Sequence, residues 1–467
     1  MLPSIRIHNS LSGEKEVLTP VEAGRVRMYV CGDTVYHFPH IGHGRSKIAF
    51  DVVRRYLTWR GYQVTFVRNI TDIDDKIIQR AAVLGESLEV FTERFIAAMH
   101  EDYERLGILP PDEEPRATHY LPGIIAMIET LLVRGHAYAA PDGDIVYSVA
   151  SFADYGRLSG RQLADLRAGA RIEVNEAKRD PLDFVLWKRA KPDEPAWDSP
   201  WGRGRPGWHI ECSAMSVGIL GSHFEIHGGG MDLKFPHHEN EIAQSCAATG
   251  DRFADIWMHN GFVNVDSEKM SKSIGNFFLI REVLPRLRDP EVLRYFYVAS
   301  HYRGPINYSL EQLEQADAAL GRLYVALRDL PLPMPAPRTE YSARFEAVMD
   351  DDFNTPEALA VLQALAREAN TARGLGQTAV AAAYAAELKS LAAVLGLLQV
   401  PGDGWFRKSV PAVGDLGDGE IDAMIAARLA ARARRDFAES DRIRDALVRA
   451  GVVLEDQPGG RTLWRRK

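Results

Sequence analysis

The sequence predicts an α/β chain in which a doubly wound parallel sheet, split by an insertion, precedes an α-helical bundle domain and a small α+β C-terminal domain. Three observations carry that prediction. RVRMYVC (25–31) and QVTFVRN (63–69) are β-branched, apolar runs that flank a stretch of helical period, giving a strand–helix–strand unit. TAVAAAYAAELKSLAAVLGLL is a long alanine-rich helical run, set between the linkers LPLPMPAPRTE (330–340) and VPGDGWFRKSVPAVGDLGDGE (400–420). Residues 421–467 then give two shorter helical patterns and VVLEDQPGGRTLW, which reads as a hairpin around PGG.

Composition bounds the rest. A chain of 467 residues, 46% hydrophobic and 26% charged, suits several globular domains rather than a disordered or fibrous protein. Its start, MLPSIRIHNSLSGEKE, lacks a signal-peptide apolar stretch, and no apolar run reaches the length of a membrane span. Three cysteines are too few for a disulfide framework, so a reducing, cytoplasmic setting is expected, without a membrane. The net charge of −8 is no general signature of a nucleic-acid binder, so any such role must rest on a local patch.

In the first unit Ile48, Val52 and Tyr56 recur at i, i+4 and i+8, with Ala49, Val53 and Leu57 beside them, and Gly61 supplies the stop. Ligands of such sheets bind at the carboxyl ends of the strands. There the chain reads HFPHIGHG (37–44), and Pro39 followed by His40-Ile41-Gly42-His43 opens the helix. A helix N-terminus carries free N–H groups and partial positive charge, which favour anions. Two imidazoles would add donors for phosphate oxygens, and Gly42 leaves room for a flat ring. Taken alone, the stretch is equally readable as an ordinary polar first turn. KMSKS (269–273), followed by IGN, sets Lys269 and Lys272 among small polar residues, as a cationic loop gripping a triphosphate would. No GxxxxGK[ST] stretch competes with this reading.

A metal site is also readable. Cys31 ends the first strand, Cys212 lies in RPGWHIECSAM, and HFEIHGGGMDLKFPHHENEIAQS (223–245) reads as a strand, a glycine-rich turn and a helix opened by Pro236. His237 and Glu241 are i and i+4 on that helix and share a face. Two thiolates, an imidazole and a carboxylate are plausible zinc ligands, but there is no CxxC pair. Two buried cysteines and a solvated helix fit the spacing as well.

The HIGH stretch with KMSKS resembles the class I aminoacyl-tRNA synthetases, whose nucleotide site lies between two Rossmann halves. YVCGDTVY, NITDIDDKI, PGWHIECSAM, HGGGMDLKFPHHENE and EKMSKSIGN together resemble the cysteinyl-tRNA synthetase family, in order and spacing along essentially the whole chain. The resemblance implies one zinc per chain on Cys31, Cys212, His237 and Glu241, with His238 turned about 100° away and Cys246 in the core. It implies catalytic roles for His40, His43, Lys269 and Lys272, and ATP contacts from His40, Gly42, His43, Gly229, Gly230, Asp232 and Lys272. Thr71 and Trp208 become substrate neighbours, although Thr71 could instead cap a helix and Trp208 could be core. Cysteine, ATP with Mg2+ and tRNA(Cys) are the implied partners of a monomer, and zinc is implied to select the thiol.

The expected plan is a first Rossmann half at 1–114, an inserted domain at 115–205 and a second half at 206–290. A stem-contact region and helical bundle follow at 291–400, then a linker and anticodon-binding domain at 401–467. That last piece carries 11 Lys/Arg against 7 Asp/Glu in residues 421–467, and Arg428, Arg432 and Arg435 fall at i, i+4 and i+7. With Trp464 they suit an RNA loop, although a solvated arginine face fits the pattern too. Two other functions share part of the pattern: the cysteine ligase of thiol-sugar (mycothiol) biosynthesis, which gives no reason for a basic C-terminal piece, and an inert zinc-containing RNA-binding protein, which gives none for intact HIGH and KMSKS stretches.

Overall fold

A computed structural model describes residues 4–162, 177–192, 194–265, 268–269, 277–401, 403–408, 416–456 and 462–466. The chain divides into two compact units: residues 1–277, 300–307 and 346–356 form the first, and 278–299, 308–345 and 357–467 the second.

The first unit is built on four parallel strands. β1 (Arg25–Thr34) leads into helix α1 (Ile41–Trp59), which returns the chain to β2 (Gln63–Thr71), followed by α2 (Asp75–Leu84) and α3 (Leu88–Arg105). Most of β1 is buried, as expected of a parallel strand covered on both faces. The apolar stripe foreseen on α1 is its core face: Ile48, Val52, Val53, Tyr56 and Leu57 are all buried. Gly61, at φ 94°, makes the turn into β2, a conformation that glycine adopts without steric cost.

The insertion folds as α4 (Leu121–Val133) and an antiparallel sheet of β3 (Ala137–Ala139), β4 (Ile145–Tyr147), β5 (Phe184–Arg189) and β6 (Gly204–Pro206), paired in that order. The chain then enters α5 (Trp208–Leu220), β7 (His223–Gly230), α6 (Glu239–Thr249) and β8 (Phe253–Asn260). Leu121, Ile128, Tyr147, Trp187, Ile210 and Ala243 form one apolar core, binding α4, α5 and α6 to the small sheet. The parallel order is β8-β7-β1-β2, so the carboxyl ends of β7 and β1 lie side by side.

Two local expectations are corrected here. Gly228, Gly229 and Gly230 are the last residues of β7, not a turn. Their bare backbone is required by close packing, because a Cβ on Gly228 would meet Phe50 at 2.3 Å and one on Gly229 would meet His238 at 2.9 Å. The segment before α6 is not a regular helix opened by Pro236: Phe235 is extended, at φ −143° and ψ 132°, and the Phe235–Pro236 peptide is cis.

In the second unit α7 (Pro290–Val298), α8 (Leu310–Leu327), α10 (Thr378–Val394) and, between the latter two, α9 (Thr355–Gly374) form the helical region. The stretch read as a linker after residue 400 contains Trp405, buried in a stack on Tyr324 with ring centroids 4.4 Å apart. The chain closes with α11 (Asp418–Ala433), α12 (Phe437–Arg449) and an antiparallel pair, β9 (Val452–Asp456) and β10 (Thr462–Arg466). The PGG turn itself lies outside the described residues. Among the described residues no helix is long and apolar enough to cross a membrane.

The tightest approach in the sheet is at Gly32, where a Cβ would fall 1.5 Å from the Asn69 carbonyl oxygen. Gly32→Ala is therefore expected to force β1 from β2 and lower the thermal unfolding midpoint by several degrees, measured by differential scanning calorimetry. An unchanged midpoint would show that the strands can separate there without cost.

Candidate active site and metal centre

The carboxyl ends of β1, β7 and β8 open into a cavity of about 400 Å³, bounded on one side by the first turn of α1. His40 is the N-cap of α1. Its Nδ1 accepts from Gly42 N–H at 3.1 Å, while His43 Nδ1 accepts from His40 N–H at 3.2 Å. The two rings stack with centroids 3.7 Å apart. Two histidines thus act as a reciprocal capping box, the arrangement more often made by Ser or Thr with Glu. Because each Nδ1 accepts a hydrogen bond, a neutral ring carries its proton on Nε2 and is a donor there. His40, Gly42 and His43 all line the cavity, so the first-turn stretch is a cap and a donor set at once.

Cys31, which lines the cavity, lies with Cys212, His237 and Glu241 in a cluster whose ligand atoms are within 4.8 Å of one another, all four residues buried. Cys31 Sγ lies 3.4 Å from Glu241 Oε1, and His237 Nε2 lies 3.1 Å from that oxygen. The hydrogen bond from Cys31 brings the Cys212 thiol down to about 6, while burial pushes Cys31 up. Burial would lower His237, but Glu241 and Cys212 outweigh it and raise the imidazole to about 10. Burial would likewise raise Glu241, but His227 and His237 hold it well below the usual carboxylate range. His209 Nδ1 lies 2.8 Å from His237 Nδ1, which fixes the ring and turns Nε2 to the cluster.

These residues fit a metal ion. Tetrahedral zinc with such ligands separates its donors by roughly 3.3–3.8 Å, near the spacing seen. Buried His238 Nε2 has no hydrogen-bond partner, and Glu241 Oε2 faces only His227 Nε2 at 3.3 Å, so a cation beside them would relieve the cost of their burial. The surroundings hold more imidazole than the sequence reading foresaw. His227 and His238 form a second set with Cys31 and Glu241. His238 does not turn away from the site: its Nε2 is 4.0 Å from Glu241 Oε1, because i+3 neighbours a helical residue almost as closely as i+4. The set with two sulfurs suits a softer ion better.

The other expected residues divide. Trp208 is 40% exposed, lines the cavity and lies 4.3 Å from the His237 ring. Gly230 and Asp232 line it too, whereas Gly229 is buried beneath His238. Thr71 is buried outside the lining, its hydroxyl donating to Glu211 Oε2 at 3.1 Å. Lys272 lies outside the described residues, and of Lys269 only its place in a short strand is described. Cys246 is a partly buried thiol packed against the apolar core beside the cluster.

The shared arginine face near the C-terminus is corrected. Arg428 is buried and its guanidinium reaches Thr462 Oγ1 at 3.4 Å, while Arg435 lies past the end of α11 at φ 60°. Arg432 is exposed in the last turn of α11. Trp464 is not a stacking surface: it is 6% exposed, packed with Ile421, Ile425, Ile443 and Leu447, and its Nε1 donates to Asp422 at 2.7 Å. Apolar burial of the hairpin decided both placements, which arginine spacing alone does not disclose.

Comparison with known proteins agrees with this geometry. Residues 17–318 match the family of class I (C) tRNA synthetase catalytic domains, 344–399 the DALR domain, and 415–465 the cysteinyl-tRNA ligase anticodon binding domain. A protein named cysteine--tRNA ligase from Alkalilimnicola ehrlichii is 61% identical, covering 99% of this chain and all of its own. One of the same name from Methylococcus capsulatus is 60% identical over the same shares. Among solved structures, methionyl-tRNA synthetase of Mycobacterium tuberculosis with methionyl-adenylate aligns at a TM-score of 0.56 and 17% identity, covering 79% of this chain and 89% of its own, a likeness of fold. A parallel sheet with its site at the strand ends, a soft-donor cluster and matches running from residue 17 to residue 465 have one reading: the chain belongs to the cysteinyl-tRNA ligase family of class I tRNA synthetases.

Proposed function

We propose that this chain activates L-cysteine with ATP and transfers it to tRNA(Cys). The observation that carries the proposal is one cavity lined both by Cys31, a member of a buried two-sulfur donor set, and by a histidine-capped helix N-terminus. The first suits a thiol and the second suits phosphates. Cysteine differs from serine by sulfur for oxygen, a distinction that a shaped pocket draws weakly. Cys31, Cys212, His237 and Glu241 would hold zinc, and bound there it would supply a soft Lewis acid that favours a thiolate over a hydroxyl.

In the chemical step the cysteine carboxylate attacks the ATP α-phosphorus and diphosphate leaves, giving the aminoacyl adenylate. His40 and His43 are read as donating their Nε2–H to phosphate oxygens, with the partial positive charge of the α1 N-terminus behind them. Asp232 and the bare backbone at Gly230 face the space where the adenylate would lie. Lys269 and Lys272 are read as neutralising the departing diphosphate, and Mg2+ as arriving with ATP. Trp208, which packs on the His237 ring and lines the cavity, is read as covering the bound amino acid. The tRNA terminal hydroxyl then attacks the adenylate carbonyl and AMP leaves. A reducing cytoplasm suits the three free cysteines.

ATP–pyrophosphate exchange across a panel of amino acids, followed by tRNA charging, tests the assignment. Cysteine alone should support rapid exchange, and exchange with another amino acid in its place would overturn it. Cys212→Ser should lose close to one zinc per chain by atomic absorption, together with cysteine binding; full retention of both would remove the metal site. Lys272→Ala should slow exchange about tenfold or more while cysteine affinity stays near its original value. An unaltered rate would deny the loop its role. Arg432→Ala should weaken tRNA binding and flatten its log–log salt dependence by a little under one unit, measured by filter binding. An unchanged slope would leave Arg432 a solvated side chain.

A further inference from the structure

Lys47 also lines the cavity and has no role so far. His40, His43 and Lys47 stand at i, i+3 and i+7, so they share the face of α1 that lines the cavity. The Lys47 side chain is only 3% exposed, a costly place for an ammonium unless it is paired. Its Nζ forms an ion pair with Asp33 at 3.0 Å and donates to the Cys31 carbonyl oxygen at 3.3 Å. Asp33 is fixed from its other side by the Tyr103 hydroxyl. These contacts hold Lys47 Nζ at a fixed place beside Cys31. An ammonium has three N–H groups, and these two contacts leave capacity for one more acceptor.

The position of Cys31 suggests what that acceptor is. Its Sγ belongs to the donor cluster, and its carbonyl oxygen contacts Lys47. One cysteine residue therefore already spans the gap between the cluster and the ammonium. A free cysteine with its thiol at the cluster has the same reach from sulfur to carboxyl. We infer that Lys47 binds the carboxylate of the amino-acid substrate and holds it between the thiol-selecting cluster and the histidine-capped phosphate site. Lys47 then orients the attacking oxygen, and Asp33 keeps the ammonium from swinging toward the nucleotide. This inference rests on the cysteine reading above and adds a residue to it.

Calorimetric titration of the zinc-loaded protein with cysteine, cysteamine and ATP separates the possibilities, because cysteamine is cysteine without its carboxylate. Lys47→Met would leave Asp33 buried without its ammonium partner, so the double variant Asp33→Asn/Lys47→Met is measured beside it as the neutral form. In both, cysteine affinity should fall roughly ten- to a hundredfold, the loss expected of a charge-assisted hydrogen bond. Cysteamine affinity, ATP affinity and zinc content should stay within twofold of the original. Equal losses for cysteine and cysteamine would make Lys47 a structural partner of Asp33 and overturn the inference. A loss confined to ATP would assign it to phosphate and overturn it as well. Failure of the unaltered protein to bind either thiol would instead strike the cysteine reading itself.

Discussion

The site depends on one constraint, that β1 and β7 run parallel and adjacent so that their carboxyl ends arrive together. Met28, Tyr29 and Val30 pair in register with Ile226, His227 and Gly228. This pairing sets Cys31 beside the end of β7, from which the chain passes directly into the segment bearing His237 and Glu241. A slip of one residue would turn Cys31 to the opposite face of the sheet. Cys212, on α5, completes the set because the insertion core ties α5 to α6. The donor cluster is thus a consequence of sheet register and of one apolar core.

A second consequence is that two unlike chemistries share one cavity without mixing. The cluster is sulfur-rich and buried, whereas the α1 N-terminus offers hydrogen-bond donors at the mouth. Between them stands the Lys47–Asp33 pair, with matched charges and little conformational freedom. Ionised groups buried in this way keep their geometry because separating them inside the protein is costly. Rigid groups suit a reaction whose catalysis is mostly positioning.

What was legible in the sequence follows from the range of the interactions involved. The capping turn at His40 and His43 is local, so strand, breaker and helix period located it correctly. The quartet Cys31, Cys212, His237 and Glu241 is long-range and became visible only through resemblance, since spacing equally allowed two buried cysteines. His227 and Lys47 were missed for different reasons. His227 points into the site by the alternation of β7, which requires knowing that strand's register. Lys47 was readable as one helical turn beyond His43, yet a lysine there is ordinarily solvated, and only the Asp33 pairing explains its burial. Arg428 and Trp464 were misread because helical spacing cannot tell which face a small hairpin covers.

The central claim is that the cluster recognises the substrate through its sulfur. X-ray absorption spectroscopy at the zinc edge, on the zinc-loaded protein with and without amino acid, tests it most directly. The account predicts two sulfur neighbours around the metal in the free protein, three when cysteine is added, and two still when serine is added at the same concentration. A sulfur count that stays at two with saturating cysteine would contradict it.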